Sequence, residues 1–116
     1  MSFSRFFYNK NSLKRKILDI KADIENTVFS YCTEKFDITW YGAYDIDPKH
    51  LVYWICIKTD KVKHELESNL ELNQLLRSLL EKHRYPLAAQ PHVFISFESQ
   101  ETVDRESDGN WYHHFK

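Results

Sequence analysis

Residues 37–60, DITWYGAYDIDPKHLVYWICIKTD, constrain the fold more than any other stretch of this chain. They hold two runs rich in aromatic and β-branched residues, the types that suit a pleated, half-buried surface, on either side of Asp47-Pro48-Lys49-His50. Proline presets the backbone angle of a turn corner, and aspartate can hydrogen-bond the local backbone. The spacing therefore predicts a hairpin with arms over 37–46 and 51–59. Side chains alternate across a strand, so Ile38, Trp40, Gly42 and Tyr44 share one face of the first arm. In the second arm Val52, Trp54, Cys56 and Lys58 oppose Leu51, Tyr53, Ile55 and Ile57, and both faces are apolar for most of its length. Such a strand is covered on both sides, or covered on one side and adhesive on the other.

Helices flank the hairpin. Leu13, Ile17, Ile20, Ile24 and Val28 recur every three or four residues, which predicts a helix over 12–33 capped by Asn11 or Ser12. After the hairpin, Thr59 or Asp60 caps a second helical region that runs to about Arg84. Val62 and Leu66 are out of phase with the stripe Leu72, Leu75, Leu76, Leu79 and Leu80. A break near Ser68-Asn69, with Asn69 as a new cap, resolves the mismatch into helices over 61–67 and 70–84. Tyr85-Pro86 closes the second, because the residue before proline disfavours helix. Residues 92–98 read as a third strand with Val93, Ile95 and Phe97 on one face, 99–106 as a short helix capped by Ser99, and 110–115 as a fourth strand after the Asp108-Gly109 turn. The order is α-β-β-α-β-(α)-β. It predicts a single α+β domain over 1–116, with a mainly antiparallel sheet of three to four strands and two main helices on one face.

With 116 residues the chain can bury one core without disulfides or metal. Two glycines leave little room for phosphate-cradling loops, and there is no GxSxG, Walker or GxGxxG pattern. Cys32 and Cys56 lack metal-ligand spacing and read as free, buried thiols in apolar settings that raise a thiol pKa. No cofactor or metal is expected. The N-terminus MSFSRFFYNK carries no apolar leader, no run is long enough to span a membrane, and a cytoplasmic location is the expectation. Phe3, Phe6, Phe7 and Tyr8 are too densely aromatic for a solvated tail and are expected to pack on the body or on a partner. A net charge of −1 and the lack of a basic groove argue against nucleic acid.

Chemistry-bearing residues concentrate at the C-terminal end: Glu98, Gln100, Glu101, Asp104, Arg105, Glu106, Asp108, Asn110, His113 and His114. Carboxylates beside histidines can form an acid/base pair or a metal site, but this spacing matches no such motif, and on a strand His113 and His114 would point to opposite faces. The favoured reading is a partner-binding surface of Glu98, Glu101, Asp104, Glu106, Asp108, Trp111 and His113 next to a sheet face bearing some of Trp40, Tyr44, Tyr53 and Trp54. An alternative is a small-molecule-binding or hydrolytic pocket lined by Glu98, Asp104 and His113. A third reading is a homodimer paired through the sheet face or an edge strand.

In size and general character, with surplus aromatics, an acidic 98–108 segment and no catalytic motif, the chain resembles the small single-domain α+β immunity proteins encoded beside bacterial polymorphic or contact-dependent toxins. The resemblance implies a cytosolic, non-catalytic antitoxin that binds a toxin domain and covers its active site. The near-neutral charge argues against a strongly basic nuclease as the target.

Overall fold

The structure is a computed structural model that describes residues 8–9 and 12–115. Phe3, Phe6, Phe7 and Asn11 lie outside the described residues. Helix α1 spans Leu13–Phe29 and starts at Ser12, whose Oγ accepts from Arg15 N–H at 3.1 Å. Its expected stripe is the buried one: Ile17, Ile20, Ile24 and Val28 are inaccessible to solvent. The helix stops short of residue 33, because the N–H groups of Ser30, Tyr31 and Cys32 fold back onto Thr27 and Val28 carbonyls and tighten its last turn.

Strand β1, Asp37–Tyr41, runs antiparallel to β2, Val52–Ile57, with Ile38 opposite Ile55 and Trp40 opposite Tyr53. The first arm ends five residues before the expected 46. Gly42 sits at φ +117°, and a Cβ there would lie 1.9 Å from the His50 carbonyl oxygen. The chain turns sharply at this crossing instead of continuing extended. The Asp47 carboxylate then caps a 3₁₀ turn at Pro48–His50 by accepting from Lys49 N–H at 3.0 Å.

Thr59 caps α2, Asp60–Glu67, and Asn69 caps α3, Leu70–Lys82, its Oδ1 accepting from Leu72 N–H at 3.0 Å. The break falls where the change of apolar phase put it. Leu72, Leu76, Leu79 and Leu80 face inward, whereas Leu75 is exposed. A second 3₁₀ turn, Gln90–His92, leads into β3, Phe94–Ser99, followed directly by α4, Gln100–Ser107, with Ser99 as its cap.

The strand order is β1-β2-β3, and β3 runs parallel to β2. The sheet is therefore mixed rather than mainly antiparallel. Two helices lie between β2 and β3 and return the chain to the end where β2 began, the kind of long crossover that a parallel pair requires. Among the described residues three strands form, within the expected three to four, and the expected fourth is absent. The segment over 110–115 is the helix α5, Trp111–His114, started by Asn110, whose Oδ1 accepts from His113 N–H at 2.9 Å.

The core lies between one sheet face, with Ile38, Tyr53, Ile55, Ile57 and Phe97, and the stripes of α1 and α3, which pack against each other over it. Val62 and Leu66 extend it from α2. Each fully buried Ile or Leu contributes about 1.5–3 kcal/mol, so this layer dominates the stability. The buried Tyr53 hydroxyl donates to the Ile17 carbonyl at 2.5 Å, joining sheet to helix. Trp40 lies on the same side, 5.9 Å from Tyr44 and 4.9 Å from Lys14 Nζ. Tyr8, exposed, also meets Lys14 Nζ, at 5.6 Å. Both cysteines are free thiols and half-buried.

Candidate functional site

The register fixes what the other sheet face carries. Tyr41, Val52 and Phe94 form one row across it, Thr39, Trp54 and Ser96 the next, and Asp37, Cys56 and Glu98 the third. The short α5 lies over this face. Trp54 is the centre of an aromatic cluster: Phe94 stands 4.8 Å away on one side, and Phe115 is stacked at 4.8 Å with 15° between planes on the other. Tyr41 is 6.3 Å and Trp111 5.6 Å from Phe115. The Trp54 indole N–H donates to the Tyr41 hydroxyl at 2.9 Å. Phe94 remains 43% and Tyr41 38% exposed.

A polar network underlies the cluster where β2 and β3, being parallel, both end and pass into helices. The Asp60 carboxylate, at the start of α2, accepts from Ser99 Oγ at 2.5 Å, Thr102 Oγ1 at 2.6 Å and Arg105 Nη1 at 3.0 Å. Those hydrogen bonds hold its carboxyl far below the usual carboxylate range. Glu101, in the first turn of α4, accepts from Asp60 N–H at 2.7 Å. Two neighbouring helix N-termini are thus neutralised by the chain's own carboxylates, at a position where helices otherwise favour bound anions.

Glu98 is the buried member. Its Oε1 accepts from Lys63 Nζ at 2.9 Å, and its Oε2 pairs with His114 Nε2 at 2.8 Å. Burial pushes its carboxyl up, but Lys63, His114 and the Ser99 N–H outweigh that and leave it lowered. His114 Nδ1 meets Ser107 Oγ at 2.9 Å. Ser107, His114 and Glu98 thus line up as hydroxyl, imidazole and carboxylate, the order of a nucleophilic relay. Ser107 ends α4, where carbonyls rather than N–H groups point outward, and the nearby N–H groups of Gly109 and Asn110 already donate to Val103 and Ser107 carbonyls. These contacts of His114 fasten α5 to α4 and to the sheet.

Cys56 shares this face, and burial pushes its thiol up to about 11, which keeps it protonated near neutral pH. No group of three or more metal-ligating side chains is placed to hold an ion among the described residues. An open groove of about 760 Å³ borders the face, with Phe29, Lys35, Asp37, Lys58, Gln100 and Trp111 among its lining.

The expected surface residues divide into two sets. Glu101, Asp104, Glu106, Asp108 and His113 are exposed. Asp104 accepts from Gln100 Nε2 at 2.8 Å, and Asp108 forms the left-handed cap of α4. Trp111 is half-buried and donates from Nε1 to Gln100 Oε1 at 2.7 Å. Glu98 is not on the surface; it is the internal anchor. Glu98, Asp104 and His113 share no hydrogen bond, and none of them lines the groove. Sequence reasoning missed Tyr41, Phe94 and Phe115 as members of the face, and Lys63 and Asp60 as members of the network. It paired His113 with the surface and gave His114 no role. The signal for the last was present: Trp111, His114 and Phe115 are spaced i, i+3, i+4 behind an Asn cap, which places them on one side of a helix.

Among the described residues no helix is long and apolar enough to cross a membrane. No protein-family model, no curated protein and no solved structure matches the chain.

Proposed function

We propose that this chain is a small binding protein that occludes a partner protein through the aromatic side of its sheet and the acidic surface of α4. The observation that carries this reading is the face itself. Tyr41, Trp54 and Phe94 form a partly exposed aromatic patch, and the carboxylates of Glu101, Asp104 and Asp108 lie along one side of the neighbouring helix. Interfaces concentrate binding energy in buried aromatic anchors with a charged rim, and an exposed apolar patch of this kind marks a contact surface. The acidic side of α4 adds a local negative field that favours a partner with basic residues around an apolar centre, although the whole chain is close to neutral. A toxin domain whose active site is covered is the partner class implied by the resemblance to immunity proteins, and it defines the first functional assay.

The test is quantitative capture. The tagged chain is used to isolate a partner, and the affinity is remeasured with Asp104→Lys and with Phe94→Ser. Asp104 is chosen over Glu101 because the Glu101 carboxylate also receives the Asp60 N–H, so its loss would disturb the start of α2. Each variant is expected to weaken binding about tenfold or more, which is about 1.4 kcal/mol, with thermal unfolding little changed. A stoichiometric partner whose affinity neither variant alters would remove this face from the function. Sedimentation over a concentration series separates a foreign partner from pairing with a second copy.

A further inference from the structure

We infer that Phe115 occupies the place of a partner's aromatic side chain. In this view α5 is a displaceable cover over the cleft between Tyr41, Trp54 and Phe94, and a partner segment that presents an aromatic ring replaces it. The inference rests on the binding role of this face.

Several independent features support it. The ring of Phe115 stacks on Trp54, so the cleft already demonstrates that it accepts a flat aromatic group. The helix that delivers the ring has four residues, too few to be stable by itself. It is held by the Asn110 cap, by His114 to Glu98 and Ser107, and by Trp111 to Gln100. The joint with α4 is a pair of left-handed residues, Asp108 at φ 50° and Gly109 at φ 79°, where a change of backbone angle reorients α5 without unwinding α4.

Departure also leaves no buried charge exposed to an apolar environment. Glu98 keeps Lys63 and the Ser99 N–H, and the Trp54 indole keeps the Tyr41 hydroxyl. Nothing in the sheet must rearrange for the cleft to empty. Asp104 and Trp111 both hydrogen-bond Gln100, so the start of α4 is the far anchor of the cover.

The probe is Nile red, a neutral environment-sensitive dye, added to the full chain. Wild type is expected to bind it weakly. Phe115→Ala uncovers the cleft directly, and Ser107→Ala releases one tether of His114 without touching the face. Dye emission is expected to rise about fivefold in Ser107→Ala, the change for one lost side-chain hydrogen bond, and further in Phe115→Ala. Adding Phe94→Ser to either variant is expected to abolish the gain, and excess N-acetyl-phenylalaninamide to compete it away. Circular dichroism establishes that each chain is folded; if Phe115→Ala is not, Ser107→Ala decides. Emission that stays at the wild-type level in a folded variant, or a gain that survives Phe94→Ser, would overturn the cover. The dye arm needs no partner. Dye gain without any captured protein therefore keeps α5 as a cover but refutes the partner's ring as its replacement, whereas capture with flat dye emission keeps the binding role and refutes the cover.

Discussion

At the residue scale the two glycines do different work. A Cβ on Gly42 would meet the His50 carbonyl oxygen at 1.9 Å, and φ +117° is closed to other residues, so backbone must move. Gly42→Ala is expected to cost about 2–4 kcal/mol by urea unfolding, and a loss below about 1 kcal/mol would show that the crossing of the hairpin arms is not tight. Gly109→Ala meets only a side-chain oxygen of Asp104 at 3.0 Å and should cost about 1 kcal/mol. Lys63 and Glu98 have side chains 14% and 11% exposed, and removing one charge strands the other. Lys63→Met is expected to destabilise by about 2 kcal/mol, less than for an isolated buried pair because His114 still contacts Glu98; a neutral effect would mean the pair is solvated. None of this was legible from sequence. Gly42 read as an ordinary strand residue, and its constraint comes from His50, eight positions on. Glu98 read as a surface acid because its partners come from α2 and α5.

At the element scale the caps were legible, because an N-cap is a bond between residues two or three positions apart. Ser12, Thr59, Asn69 and Ser99 each accept the N–H expected of a cap. Asn69→Ala is expected to lower stability by about 1 kcal/mol, with helicity of α3 fraying first by amide exchange; unchanged protection of Leu72 would count against the cap. The stretch 110–115 was misread because six residues satisfy two periods at once. Trp111, His113 and Phe115 alternate as in a strand, while Trp111, His114 and Phe115 follow a helix. The Asn110 cap and the left-handed pair before it decide for the helix, and that choice puts His114 rather than His113 against Glu98.

At the scale of the whole molecule, pH reports the network. Asp23, Glu34, Asp60 and Glu98 all titrate below their ordinary values of 3.8 or 4.5. A carboxylate depressed by folding stabilises above its ordinary value and loses that contribution as pH falls through the folded one. The melting temperature should therefore hold down to about pH 5 and drop steeply below about 4.5. On the alkaline side, burial holds Cys56 up at about 11 and Tyr85 at about 12, so stability is lost as pH climbs from their ordinary 9.0 and 10.0 through those values. A melting temperature unchanged into the acid range would mean the carboxylate network contributes nothing. Only a folded chain has this profile, because the partners of Asp60 and Glu98 are 35 or more positions away for Ser99, Thr102, Arg105 and Lys63. The sequence by itself determined the α+β class, the helices α1 to α4, their caps and the aromatic hairpin, since these follow from periodicity and local hydrogen bonding. Tertiary structure alone decided that β3 runs parallel to β2, that Glu98 lies inside, and that Trp54 faces Phe115. Those outcomes depend on which distant surfaces bury one another, and no short window of sequence holds that information.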